Sequence, residues 1–142
     1  MVRFPSAEWL DAYAAKINAS PAYAEAAATW EGDLTYVFGA EPDKGVPTDI
    51  WVWMDLFHGT CRAQRYDVGE AEGAKAKFLI RAPYTRWKEV MTGELDPIKG
   101  MMTGKLKLKG NLATLVRYTK AAKVLVSLAG EVETEFADEA AS

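Results

Sequence analysis

The sequence predicts an α+β domain in which a single sheet is covered mainly on one face by helices. Two periodicities carry this. Segments 30–38, 50–57, 60–68, 74–82 and 105–109 alternate apolar with polar residues or are rich in β-branched and aromatic ones, the pattern of strands. Segments 7–17, 21–28, 84–91, 97–102 and 112–129 begin on helix caps or repeat apolar residues at three-four spacing. At 142 residues, 49% apolar and 26% charged, the chain suits one globular unit, large enough for a core with a ligand-sized hole in it.

Ser6 is placed to cap the first helix, in which Leu10, Tyr13, Ala14 and Ile17 share a face. Ser20-Pro21 repeats the signal, since proline is harmless at the first helical position, where its missing N–H has no partner to lose. In the first strand Leu34, Tyr36 and Phe38 point one way and Glu31, Asp33 and Thr35 the other. Two glycines and two prolines make 39–48 a loop.

His58-Gly59 between two β-rich runs is a hairpin signal that fixes a register. Phe57 then faces Thr60, Leu56 faces Cys61, Asp55 faces Arg62, Met54 faces Ala63, Trp53 faces Gln64 and Trp51 faces Tyr66. Ile50, Val52, Met54 and Leu56 form an aliphatic set suited to the interior. Trp51, Trp53, Phe57 and Tyr66 then gather on the opposite face, either as a homodimer patch with Asp55 and Arg62 at its rim or beneath other parts of the same chain.

Residues 69–73 read as an acidic turn. Beyond it Ala76, Phe78 and Ile80 alternate with Lys75, Lys77 and Arg81 until Pro83. The next helix turns Tyr84, Trp87, Val90 and Met91 inward and closes at Gly93. Asp96-Pro97 starts a short helix ending at Thr103-Gly104, and Lys105 to Lys109 alternates strictly between lysine and leucine. Asn111 caps a long helix over 112–129, ending at Gly130, with Leu115, Tyr118, Ala122, Leu125 and Ala129 on one face. Residues 131–142 read as a solvated acidic tail carrying Glu131, Glu133, Glu135, Asp138 and Glu139, from which Phe136 could fold back over an opening.

The run Gly93-Glu94-Leu95-Asp96-Pro97, followed by Met101-Met102-Thr103-Gly104-Lys105-Leu106-Lys107-Leu108-Lys109-Gly110-Asn111-Leu112, resembles the C-terminal half of sterol carrier protein 2 (SCP-2) domains. Over residues 87–128 the match is specific. Over the N-terminal half it rests on the order of elements. The resemblance implies a five-stranded mixed sheet in the order 3-2-1-4-5, first and fourth strands parallel, with an apolar tunnel under the C-terminal helix. It implies a domain over 1–130 that binds a fatty acid, fatty acyl-CoA or sterol-like lipid without catalysis. Phe78, Ile80, Trp87, Met101, Met102, Leu106, Leu108, Leu115, Tyr118 and Leu125 would otherwise be ordinary core; with the resemblance they and Met54 become expected ligand contacts. Other readings are an accessory or substrate-presenting module of a lipid-processing enzyme, and a helix-grip fold, which needs more than five strands.

Several classes of function fit poorly. Seventeen bases against twenty acids give a net charge of −3, which argues against a nucleic-acid partner. No signal peptide and no apolar run long enough to span a bilayer is evident, and the single cysteine, Cys61, suits a reducing compartment, so the expected location is the cytoplasm. His58-x-x-Cys61 lacks the further ligands a zinc site requires, and a tight turn does not aim the two at each other for nucleophilic catalysis. No glycine-rich phosphate or dinucleotide fingerprint occurs; no catalytic residue, cofactor or metal is expected.

Overall fold

The computed structural model describes residues 1–139. Its elements in chain order are β1 (Val2–Phe4), α1 (Ala7–Asn18), α2 (Pro21–Ala26), β2 (Leu34–Gly39), β3 (Ile50–Phe57), β4 (Thr60–Arg65), α3 (Gly69–Gly73), β5 (Phe78–Pro83), α4 (Tyr84–Met91), α5 (Pro97–Met102), β6 (Lys107–Lys109), α6 (Leu112–Arg117), α7 (Thr119–Glu131) and β7 (Thr134–Phe136). The caps act as the sequence predicts. Ser6 and Ser20 hydroxyls accept from the N–H groups of Trp9 and Tyr23, both at 3.0 Å, and the Asp96 carboxylate accepts from those of Ile98 and Lys99.

The main sheet runs β4-β3-β2-β5-β6, which is 3-2-1-4-5 when its own strands are counted along the chain. Its central pair, β2 and β5, is parallel, with Leu34 opposite Phe78 and Tyr36 opposite Ile80; the other pairs are antiparallel. Alternation sends Leu34, Tyr36, Phe38, Val52, Met54 and Leu56 to the face that the helices cover. Five strands are too few for a helix-grip fold.

The hairpin register departs from expectation after two pairs. Phe57 faces Thr60 and Leu56 faces Cys61, but a bulge then places Ala63 opposite Asp55, Gln64 opposite Met54 and Arg65 opposite Trp53. Arg62 is the extra residue, and every later side chain in β4 changes face. Gln64 consequently reaches Asp11 on α1, donating at 3.2 Å, and Tyr66 packs against the core instead of joining the tryptophans. Arg62 still pairs with Asp55 through two hydrogen bonds of 3.0 and 3.2 Å, and stacks 4.0 Å above the Phe57 ring.

Of the aromatics expected to form a bare patch on the outer face, Trp51 is buried within the chain and Trp53 and Phe57 are half-buried. The acidic segment 69–73 is helical, and α3 roofs Trp51, leaving it 7% exposed; a Cβ on Gly73 would meet the indole at 2.7 Å. Arg81 stacks on Trp51, His58 stacks on Phe57 with ring centroids 3.9 Å apart, and the Trp53 indole donates to Asp33 at 2.7 Å. Of the four aromatics on which the homodimer reading rests, Trp51 is thus covered and Tyr66 is on the other face, while Trp53 and Phe57 remain half-buried on the outer face.

Two further expectations are corrected. The long helix over 112–129 is two helices, because Tyr118 leaves helical geometry at φ −109° and ψ 30°. Bending there lets the Tyr118 hydroxyl donate to the Thr29 carbonyl at 3.2 Å and sets its ring edge-on to Trp30. The second helix runs through Gly130 to Glu131. The acidic segment beyond it is folded where it is described: β7 pairs in parallel with β1, and Val132 and Ala137 are buried. Residues 140–142 lie outside the described residues. Periodicity could not reveal this pairing, since each strand has three residues and the partners stand at opposite ends of the chain.

The C-terminal segment is tied down by Asp138, which accepts from the Tyr84 hydroxyl at 2.6 Å and from the Lys88 ammonium at 3.0 Å. Burial pushes the Asp138 carboxyl up, but these two partners outweigh it and hold the group below the ordinary aspartate value of 3.8. Tyr84 is fully buried, so Asp138→Ala leaves its hydroxyl unpaired and is expected to cost about 1–3 kcal/mol in urea denaturation. The folded value being depressed, the stabilisation is complete above pH 3.8 and is lost as pH falls through the lower folded value. The gap between wild type and variant should therefore narrow in strong acid, where the charge-dependent part of the interaction is lost.

Candidate ligand cavity

Between the sheet and the helices lies a cavity of about 130 Å³. Its floor is the inward face of β2 and β3, with Ile80 from β5 and Leu106 from the segment entering β6. Leu10 and Tyr13 of α1, Tyr23 of α2, and Trp87 and Val90 of α4 form the walls. The cover consists of Ile98 and Met101 on α5, Leu115 on α6, and Ala121, Ala122, Leu125 and Val126 on α7.

None of the lining residues is charged. The polar atoms among them are mostly held by backbone: Tyr13 donates to the Leu125 carbonyl at 3.0 Å, Trp87 to Val37 and Trp30 to Gly32, both at 2.8 Å. The Trp9 indole N–H is buried without a partner among the described residues. Burial, and then proximity to one another and to Cys61, raises the phenols of Tyr13, Tyr23 and Tyr36 above the ordinary tyrosine value, so all three stay neutral at physiological pH. Such a site offers apolar volume and a few neutral hydroxyls, with neither a charged nucleophile nor a general base in its lining.

A model of the SCP-2 sterol transfer family matches residues 10–123. The chain belongs to this family. It is 42% identical to a crystallised sterol carrier protein 2, covering 89% of this chain and 97% of that one, with a TM-score of 0.81. It is 41% identical to a conserved hypothetical protein of Thermus thermophilus, described as possibly a sterol carrier protein, covering 92% and 90% with a TM-score of 0.82. The apo sterol carrier protein 2 of Yarrowia lipolytica shares the fold at 18% identity, covering 90% and 94% with a TM-score of 0.58. No curated protein sequence matches the chain.

Of the residues expected to contact a ligand in this SCP-2 domain, Met54, Ile80, Trp87, Met101, Leu106, Leu115, Tyr118 and Leu125 line the cavity. Three anticipated contacts do not. Met102 is 67% exposed, because consecutive helical residues diverge by about 100° and Met101 holds the inward position. Phe78 is buried, but against Trp30, where Gly32 and Gly110 leave room for its ring; a Cβ on either glycine would approach that ring to 2.9 and 2.7 Å. Leu108 points inward opposite Ile80 and packs against the core from the edge strand, outside the cavity. The N-terminal contribution was missed: Leu10, Tyr13 and Tyr23 belong to recognisable apolar helix faces, but periodicity does not say which elements face each other.

A second, shallower depression on the outer face of the sheet is polar, and its groups already have partners. Asp33 receives the Trp53 indole and the Lys77 backbone N–H, and Asp55 receives Arg62. His58 lies 2.6 Å from Glu31 on the surface, while Cys61 turns inward and donates to the Ala63 carbonyl at 3.3 Å. Among the described residues no three His, Cys, Asp or Glu side chains are grouped to hold a metal ion. Burial pushes the Cys61 thiol up to about 11 against an ordinary 9.0. At pH 8 the native thiol then carries about a hundredfold less thiolate than a free one. Alkylation by iodoacetamide should accordingly be slow in buffer and fast in urea; equal rates would contradict the burial of Cys61.

Proposed function

We propose that this SCP-2 domain binds and carries a molecule with a long apolar chain, such as a fatty acid or its thioester, in the cavity beneath α5, α6 and α7, without chemistry of its own. One observation carries the reading: a cavity enclosed by two layers of secondary structure is lined throughout by uncharged and mostly apolar side chains. Binding then rests on desolvation. A ligand burying about 400 Å² of apolar surface gains on the order of 10 kcal/mol. Lost ligand freedom takes back several kcal/mol, which leaves micromolar affinity and weak selectivity.

The unfilled space also bears on energetics. A cavity of 130 Å³ costs about 3 kcal/mol relative to a filled core, at about 24 cal/mol per Å³, and an occupant recovers part of that. Pockets for drug-sized ligands run from about 300 to 1,000 Å³, so a long chain requires the cover to move outward. The interrupted helix at Tyr118 supplies a joint between α6 and α7 at which that can happen. A charged head group finds no counter-charge inside and stays at the rim.

Trp9, Trp30 and Trp87 all line the cavity, so tryptophan fluorescence reports occupation directly. Ala122→Phe fills the space from the cover and is expected to weaken binding of a fluorescent fatty acid at least about tenfold while keeping or raising Tm. Leu108→Ala, outside the cavity, should lower Tm and leave affinity unchanged. Unaltered affinity in Ala122→Phe would exclude this cavity as the binding site.

A further inference from the structure

The charge of this chain is unevenly distributed. Residues 97–123 contain seven basic side chains and no acid, while the rest of the chain carries ten bases and all twenty acids. The net −3 therefore conceals a local +7. Lys99 lies on α5, Arg117 on α6, and Lys120 and Lys123 on α7; Lys105, Lys107 and Lys109 occupy the strand segment between α5 and α6. All seven are exposed, and none forms an ion pair with a described residue, whereas five of the ten bases elsewhere, Arg62, Lys75, Arg81, Arg86 and Lys88, are paired.

Among the described residues the same segment holds two of the three exposed large apolar side chains, Met102 at 67% and Val116 at 44%; the third is Met1. Lys99 and Met102 stand three apart on α5 and so share a face. These helices also cover the cavity: Met101, next to Met102, and Leu115, next to Val116, line it from within. Lys107 and Lys109 leave the sheet on the side opposite Leu108 and add to the field at the margin.

We propose that the outer surface of α5, α6 and the start of α7 docks on an anionic membrane surface, so that the cavity cover is the part of the molecule that meets the bilayer. Charge complementarity selects the partner. Each basic residue close to an anionic leaflet strengthens attachment about fivefold, and the acidic remainder of the chain is repelled, which orients the domain with its cover toward the lipid. A nucleic acid or an acidic peptide would satisfy the cations but gives no reason for Met102 and Val116 to stand in water. A membrane interface takes up both kinds of side chain. The docking surface stands independently of the ligand reading, since a domain with an empty cavity would attach equally.

The test is co-sedimentation of the full chain with vesicles of phosphatidylcholine alone or of phosphatidylcholine with phosphatidylserine. Binding is expected only to the anionic vesicles at low salt, and should be lost near 1 M salt, where the screening length is about 3 Å. The triple variant Lys99→Glu, Lys120→Glu, Lys123→Glu should bind about a hundredfold more weakly. Should it fold poorly, glutamine at the same three positions gives a smaller loss of the same sign. Met102→Ser with Val116→Ser should reduce vesicle binding but leave retention on heparin unchanged. Fatty-acid affinity in solution should be unaltered in every variant, which separates this proposal from the preceding one. Failure of the wild type to bind anionic vesicles, or undiminished binding by the charge-reversed chain, would overturn it. So would a Met102 and Val116 double variant that binds vesicles as wild type does while duplex DNA displaces it, since the surface would then be a general polyanion site.

Discussion

The structure depends on an apolar sheet face that is covered but not filled. Leu34, Tyr36, Phe38, Val52, Met54, Leu56 and Ile80 must leave water, and the helices meet them across 130 Å³ of open space. Close-packed interiors rarely keep such volume, because lining atoms lose contacts on one side. Here large aromatic side chains hold the helices away from the sheet. Several are fixed by hydrogen bonds to backbone carbonyls, Tyr13 of α1 to Leu125 of α7 and Trp87 of α4 to Val37 of β2 among them, which holds their rings at the cavity wall instead of letting them turn into the hole.

Keeping a cover over an incompletely filled core requires anchoring at its ends. At the far end of α7 the chain passes into β7, pairs with β1, and is secured by Asp138 on Tyr84 and Lys88. At the near end the cover is made of two six-residue helices, in which only Gly100 and Leu115 are buried. The buried, bonded part of the cover is thus concentrated toward the chain termini, and the less buried part carries Lys99 and Arg117. A joint at Tyr118 separates the two regions, and the same residue bonds across to Thr29.

The opposite face of the sheet shows how one inserted residue redistributes chemistry. The bulge at Arg62 hands Gln64 and Tyr66 to the helical side and leaves Arg62 free to clasp Asp55 and cover Phe57. With α3 lying over Trp51 and Arg81 stacked on the same indole, one of the two tryptophans of this face is covered from within the chain.

The sequence by itself determined the five strands of the main sheet, the helix caps at Ser6, Ser20, Asp96 and Asn111 and, through residues 93–112, the family. These features rest on local rules: alternation sets the face of a strand residue, and a serine, aspartate or proline at the right offset starts a helix. It also identified most of the C-terminal side of the cavity. What it left open depends on distances between segments remote in sequence. The pairing of β1 with β7, the bulge, the bend at Tyr118 and the contributions of Tyr13 and Tyr23 to the cavity each follow from which surfaces meet, and no periodicity records that. Net charge is silent on this for a related reason. It averages over the whole chain, while binding responds to where charges lie: the basic run 97–123 is contiguous in sequence, but only the folded structure leaves Met102 and Val116 exposed on the outside of the cavity cover.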